Sequence, residues 1–241
     1  MTAGAGTVAL VTGATSGIGR AAAAKLASDG HTIVVHGRDA ARGLEVVDAI
    51  AADGGTARFV AADLSDPTDF SRFIAGVGDV DVLVNNAGTA WFGPTADLDV
   101  ATYDQLFNAN VRPAYFLVAA LAPKMVAQGS GSIINVGSMA GQIGMSGGAA
   151  YSATKAALAS FTRSWAAEYS PSGVRVNTIA PGPVYTAVQP AEETSALGAT
   201  TIFGRGADVD EIAEVISFLA SPKASYITGA LYAVDGGRTA I

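Results

Sequence analysis

Apolar residues in this chain come in short runs separated by longer amphipathic stretches. The short runs fall at 8–11, 32–36, 58–61, 80–84, 132–136, 175–179 and 231–234. They are rich in Val and Ile, too short for helices, and apolar at consecutive positions, which is the pattern of strands buried on both faces. Helix-length stretches at 19–28, 40–52, 68–76, 103–128, 151–169 and 208–220 separate them. Regular alternation of this kind predicts an α/β fold, a doubly wound and mostly parallel seven-stranded sheet with helices on both faces. Repeats, linkers and low-complexity tails are absent, so residues 1–241 read as a single unit. Residues 185–206 lack clear periodicity. An insertion of that length beyond the C-terminal end of a strand is expected to be a substrate lid.

Composition narrows the chemistry. A formal net charge of −7 and a pI near 4.7 argue against nucleic-acid or anionic-membrane partners. Without cysteine there are neither disulfides nor thiolate metal sites, and His31 and His36 are too few for a histidine-based one, so no metal is expected. The most apolar long stretch, 111–127, is interrupted by Arg112, Pro113, Pro123 and Lys124 and is too broken to span a bilayer. No basic-then-apolar leader is visible, and a cytoplasmic location is expected.

Two motifs carry the functional signal. The run from Thr7 to Thr12 reads as a strand, Gly13-Ala14-Thr15-Ser16-Gly17-Ile18-Gly19 as a glycine-rich turn, and Arg20 to Ala27 as a helix. Strand, glycine turn and helix together bring a pyrophosphate to a helix N-terminus. Further on, Tyr151 and Lys155 share one face of a predicted helix. A phenol with a pKa of about 10 is a poor acid at neutral pH, and a close ammonium is expected to lower that value. Ser138, 13 residues before the tyrosine, can hold a carbonyl oxygen while the phenol gives or takes a proton. This is equipment for interconverting a ketone and an alcohol when a cofactor carries hydride. A Ser-Tyr-Lys hydrolase is disfavoured because no Gly-x-Ser-x-Gly elbow surrounds Ser138.

Taken together, Thr12 to Gly19, Asp63-Leu64, Asn85-Asn86-Ala87-Gly88, Asn110, Ser138, Tyr151-x3-Lys155, Pro181-Gly182 with Thr186, and Asp235-Gly236-Gly237 resemble the short-chain dehydrogenase/reductases over nearly the whole chain. The overall pattern is similar to the 3-oxoacyl-thioester reductases. The resemblance implies a Rossmann-like fold and four catalytic residues. Tyr151 would be the acid/base. Lys155 would lower its pKa and bind the nicotinamide ribose, and the positive charge of an oxidised nicotinamide would add to that effect. Ser138 would polarise the substrate oxygen, and Asn110 would hold a water linked to the lysine. Pro113, three residues after Asn110, also predicts a local kink in the long helix.

For the cofactor, the resemblance places Gly13, Thr15, Ser16, Gly17, Ile18 and Gly19 at the pyrophosphate. Asp63 and Leu64 would meet the adenine, with Asn86, Ala87 and Gly88 leaving room for the adenosine. Pro181 and Gly182 would line the cofactor ahead of Val184, whose backbone would anchor the carboxamide, Thr186 would reach the carboxamide or the pyrophosphate, and Tyr151 and Lys155 would meet the nicotinamide ribose. Gly37 stands where NAD-preferring relatives carry an acid, and Arg38 follows, suited to a 2′-phosphate. NADP(H) is therefore expected, with NAD(H) as the alternative and the charge of Asp39 as the complication.

The expected substrate pocket comprises Trp91, Ser138, Met139, Gln142, Met145, Tyr151, Tyr185 and Val188, with Phe92, Ile143 and Phe203 nearby. It is mostly apolar and lacks an arginine cluster, which favours a neutral ketone, keto ester or 3-oxoacyl thioester. The Tyr151 helix is apolar around most of its circumference, which implies a partner subunit, and the resemblance suggests a homotetramer. The competing readings are an NAD-dependent sugar, polyol or alcohol dehydrogenase and, from another class, a dinucleotide-binding regulator without turnover.

Overall fold

A computed structural model describes residues 6–187 and 189–241. Seven strands form one parallel sheet in the order β3-β2-β1-β4-β5-β6-β7. They are β1 (Val8–Val11), β2 (Thr32–Gly37), β3 (Thr56–Ala61), β4 (Val82–Asn85), β5 (Gly131–Val136), β6 (Val174–Pro181) and β7 (Leu231–Val234). This is the expected doubly wound Rossmann-like sheet. Alternate side chains serve opposite faces. Ala9, Val11, Ile33, Val35 and Ile134 enter the core beneath α1 (Gly17–Ser28), α2 (Ala40–Ala52) and α8 (Val209–Ala220). Leu10, Val34, Leu83 and Ile133 enter the other core, beneath α3 (Pro67–Val77), α5 (Arg112–Gln128) and α6 (Ala149–Tyr169).

Two stretches depart from the periodicity. The single helix expected over 103–128 is two helices, α4 (Val100–Asn110) and α5, broken at Val111. The expected kink is thus a full break. Pro113 falls in the first turn of α5, where its missing N–H costs nothing. Residues 185–206 contain a short helix, α7 (Ala191–Gly198), started after Pro190 and carrying Glu192 and Glu193 in its first turn. Its base is closed by Ala207 N–H donating to the Pro183 carbonyl and Tyr185 N–H donating to that of Ala207, both at 2.9 Å. Among the described residues no helix is long and apolar enough to cross a membrane.

The strand order reverses between β1 and β4. In open α/β sheets, ligands bind outside the C-terminal strand ends at that point.

Candidate active site

The glycine turn lies at this switch point. Gly13 has φ +64°, and a Cβ on Gly19 would come 2.3 Å from the Gly13 carbonyl oxygen, so α1 can pack on the turn only with glycine at 19. Thr12 locks the turn to the end of β4. Its hydroxyl donates to the Val84 carbonyl and accepts from the N–H groups of Asn86 and Ala87. The N-cap of α1, Ser16, makes no side-chain cap bond, and the first turn holds no acidic residue. A helix start left open in this way suits an anion. Thr186 reaches this turn from beyond β6, its Cγ2 3.4 Å from where a Cβ on Gly17 would lie. Thr15 packs against Gly37, with Ile18 partly buried behind the turn. The donor set therefore fits a pyrophosphate.

At the end of β2, Arg38 is exposed and makes no ion pair among the described residues. Asp39 is committed elsewhere. Its carboxylate caps α2, accepting from the Arg42 N–H and Nε at 3.1 and 2.9 Å. The acid that complicated the cofactor expectation is thus turned into its own helix. Asp63 accepts from the Ser65 N–H and hydroxyl, which hold its carboxyl below the usual range, with Arg38 adding a smaller pull. Leu64 beside it is buried. The Asn86 side chain is consumed by the protein, its amide nitrogen donating to the carbonyls of Thr12 and Gly13. It supports the turn, while Ala87 and Gly88 form the small-residue opening.

The proposed chemical group gathers at the end of β5. Ser138 follows the strand and caps a short 3₁₀ turn through Met139–Gly141, its Oγ accepting from Ala140 N–H at 3.1 Å. Its hydroxyl lies on the Tyr151 side of the site and favours the phenolate. Lys155 is 7 % exposed; its Nζ donates to the Val136 carbonyl at 3.0 Å and lies 5.8 Å from the centre of the Tyr151 ring. Burial pushes this amine down to about 8. The electrostatics reverse the expectation from sequence. Burial raises the Tyr151 phenol above its usual value, with Ser138 pulling the other way. Burial of the phenol outweighs any pull from Lys155, whose own charged form is disfavoured by desolvation and whose amine is turned to a main-chain carbonyl.

Asn110, the last residue of α4, is buried. Its Oδ1 accepts from Thr89 N–H at 2.7 Å, and its Nδ2 donates to the Thr89 carbonyl and to Thr154 Oγ1. Thr154 in turn donates to the Tyr151 carbonyl. Asn110 therefore ties three elements together behind Tyr151, both of its amide hydrogens being used in doing so. Thr154 is missing from the sequence reading. So is the buried chain from Asn85 through Asn135 to Thr162 and Thr178, which links β4, β5, α6 and β6. The one visible hint was a polar residue, Asn135, inside the apolar run Ile133-Ile134-Asn135-Val136.

Beyond Pro181 and Gly182, Val184 forms a parallel bridge with Ala207. The bridge uses the neighbours' groups, Pro183 C=O and Tyr185 N–H. The N–H and C=O of Val184 therefore point to the opposite side of the segment.

Trp91 lines a cavity of about 240 Å³ together with Leu98, Tyr103, Ala149 and Ala153, a space that none of Ser138, Tyr151 and Lys155 lines. Phe92, 55 % exposed, stands edge-on to Tyr151 with ring centres 5.4 Å apart. Tyr185 fastens the 185–206 segment, its hydroxyl hydrogen-bonding Ser195 Oγ at 3.1 Å. Met139 is buried, Met145 packs at Gly148 beside Phe92, and Gln142 is exposed. Val188 lies outside the described residues.

A protein-family model described as short chain dehydrogenase matches residues 7–196. The chain belongs to this family. A short-chain dehydrogenase is an oxidoreductase, and the relatives of this chain carry such names. It is 41% identical over 243 residues to the cis-4-hydroxycyclohexanecarboxylate dehydrogenase of Sinomonas cyclohexanicum, covering 97% of each chain. A solved structure described as a betaketoacyl-ACP reductase is 46% identical, with TM-score 0.93 and all of both chains covered. A structure described as an NAD(P)-dependent gluconate 5-dehydrogenase from Beutenbergia cavernae, with NADP bound at low occupancy, is 38% identical with TM-score 0.93, covering 100% of this chain and 99% of that one.

Proposed function

We propose that this short-chain dehydrogenase interconverts a carbonyl and a secondary alcohol with NADP(H), Tyr151 serving as acid and base. The observation that carries this reading is the convergence of Ser138, Tyr151 and buried Lys155 at the end of β5, the strand next to β4 at the switch point. The nicotinamide, when bound, supplies or accepts the hydride. Ser138 orients the substrate oxygen. Tyr151, a phenol raised by burial, is protonated at neutral pH and gives its proton to that oxygen in reduction. Lys155, at about 8, is mostly charged at pH 7 and close enough to its own pKa to pass a proton on. Asn110 positions the group through Thr154.

Arg38 supports NADP(H) over NAD(H), since its guanidinium lies exposed at the end of β2 while Asp39 is bound to α2. Gly37 supports it too, because a Cβ there would meet Thr15 Cγ2 at 2.5 Å. An acid at 37, the NAD-type choice, would require Thr15 to move.

The substrate of this reading is uncharged: a ketone, keto ester or 3-oxoacyl thioester. Phe92 and Met145 supply apolar surface. Arg205, the nearby cation on the 185–206 segment, is neutralised by both carboxylate oxygens of Glu211. Residues 185–206 act as the lid of one catalytic unit spanning 1–241. Half-exposed Tyr115 and Phe116 on α5, with Tyr115 packed against Phe161 and Trp165 on α6, support assembly of copies into a homotetramer. The test is a panel of NADPH and NADH oxidation rates with cyclohexanone, keto esters, acyl-thioester mimics and 4-oxocyclohexanecarboxylate. Turnover of neutral ketones with NADPH is expected. Faster rates with the carboxylate, or a tenfold preference for NADH, overturn the respective part.

A further inference from the structure

His36 has no part in the proposed chemistry, yet it is one of the most constrained side chains near the switch point. It sits in β2, 3 % exposed, between the glycine turn and the end of β3. Its Nδ1 lies 3.2 Å from Gly13 N and its Nε2 3.2 Å from the Ala62 carbonyl oxygen. Gly13 N–H can only donate and the Ala62 carbonyl can only accept. The imidazole is therefore neutral, with its proton on Nε2 and its lone pair on Nδ1. The His36 main-chain carbonyl takes the next N–H of the turn, from Ala14, at 2.8 Å. Phe73 closes the site edge-on, with ring centres 4.7 Å apart.

The two partners bracket the dinucleotide site. Gly13 is the first residue of the turn, and its positive φ directs its N–H toward β2, where His36 receives it. Its carbonyl is held from the other side by Asn86 Nδ2. Ala62 immediately precedes Asp63 and Leu64, the candidate adenine contacts. One side chain thus sets both the tilt of the turn and its distance from the adenine end. We infer that His36 is a positioning residue for dinucleotide binding, presetting the pyrophosphate turn through its Nδ1 acceptor and the adenine loop through its Nε2 donor. This rests on the reading that the chain binds a nicotinamide dinucleotide.

The direction of a pH effect follows from the geometry. Protonation converts Nδ1 from acceptor to donor, facing Gly13 N–H, and the turn must give way. Burial resists that protonation and holds the imidazole near 4. Of the charged groups facing it, Asp63 favours the charged form and Arg38 opposes it. Affinity for the dinucleotide therefore falls on acidification through a group that the reacting atoms never touch.

The test measures NADPH binding by fluorescence titration, together with kcat and both KM values, for the wild type, His36→Phe and His36→Asn. Phenylalanine fills the space and keeps the ring contact but supplies neither hydrogen bond. Asparagine can place Oδ1 near the Nδ1 position and restore the acceptor for Gly13. His36→Phe is expected to weaken NADPH about tenfold, the loss of one buried hydrogen bond. The carbonyl substrate's KM and kcat at saturating NADPH should stay within about twofold, and His36→Asn should recover most of the affinity. Wild-type NADPH affinity in a folded His36→Phe, or equal loss in both variants, overturns the inference. Absence of NADPH binding by the wild type overturns the cofactor reading beneath it instead. Should His36→Phe not fold, His36→Gln takes its place, an amide that reaches toward the Ala62 carbonyl but leaves Gly13 N–H without its acceptor. Weaker NADPH binding by His36→Gln than by His36→Asn is expected, and equal affinities overturn the inference.

Discussion

Replacing Lys155 with methionine should make the protein more stable while abolishing turnover. The amine is buried among apolar groups, and its pKa falls from 10.5 to about 8. That displacement corresponds to about 3 kcal/mol of cost for keeping the charged amine inside at pH 7. Methionine has nearly the same length and volume and avoids this cost. Against it stands the lost hydrogen bond to the Val136 carbonyl, worth about 1–2 kcal/mol. The net expectation is a gain of about 1–2 kcal/mol, or a rise in Tm of about 3–6 °C for a chain of this size. The pH dependence gives the sign an independent check. Below about 8 the amine is charged in both the folded and unfolded chain, so the wild type bears the full penalty. Between about 8 and 10.5 the folded chain releases its proton first, and the wild type gains stability relative to the variant as pH rises. Urea unfolding at fixed protein concentration at pH 7 and 9.5 should show the gap narrowing by about 2 kcal/mol. A variant less stable than wild type at pH 7 by more than about 1 kcal/mol, or a gap unchanged with pH, would show that the buried charge is compensated and the reasoning wrong.

Other consequences are open to direct measurement. Arg38→Asp should reverse the dinucleotide preference from NADPH to NADH; unchanged kcat/KM ratios would mean that Arg38 is only a solvated charge. Since burial raises the Tyr151 phenol, ketone reduction should hold steady through the neutral range and decline only in alkali. Alcohol oxidation, which needs the phenolate, should climb with pH over the same interval, and an oxidation rate flat from pH 7 to 10 would contradict the assignment of the base. Asn110→Ala should lower stability by about 2–4 kcal/mol by leaving the Thr89 N–H and C=O unpaired. It should also lower kcat, and a variant with wild-type Tm and kcat would remove Asn110 from the positioning group.

Much of this architecture was legible because punctuation agreed with periodicity. Residues 8–11, 40–52 and 231–234 were expected to be a strand, a helix and a strand, and Val8–Val11, Ala40–Ala52 and Leu231–Val234 have those bounds. Glycine or aspartate lies within two residues of both ends of each run and leaves little freedom in where it starts. The division of 103–128 into two helices was less visible. Pro113 signals a disturbance, but a proline in a first turn and one in a kinked interior look alike in sequence. Helix α7 escaped notice because eight residues starting after a proline give too little periodicity to count. At the site, local spacing placed Ser138, Tyr151 and Lys155 together. It could not distinguish Trp91 from its neighbour Phe92, because which of two adjacent aromatics faces Tyr151 depends on how the 91–93 loop meets the one at 145–148. The direction of the Tyr151 pKa was also out of reach, since burial depends on every element packed around the phenol. His36 was illegible for a related reason. A histidine at a strand end gains its meaning only from Gly13 and Ala62, brought to it by strands on either side.

The account turns on one hydroxyl. Tyr151→Phe removes a single oxygen from a ring held in place by Phe92 and Lys155. NADPH binding to this variant, followed by fluorescence, should match wild type, while NADPH oxidation with the best ketone of the panel should fall at least a thousandfold. A variant that binds NADPH and still turns over within about tenfold of wild type would contradict the assignment of Tyr151 as the proton donor and acceptor.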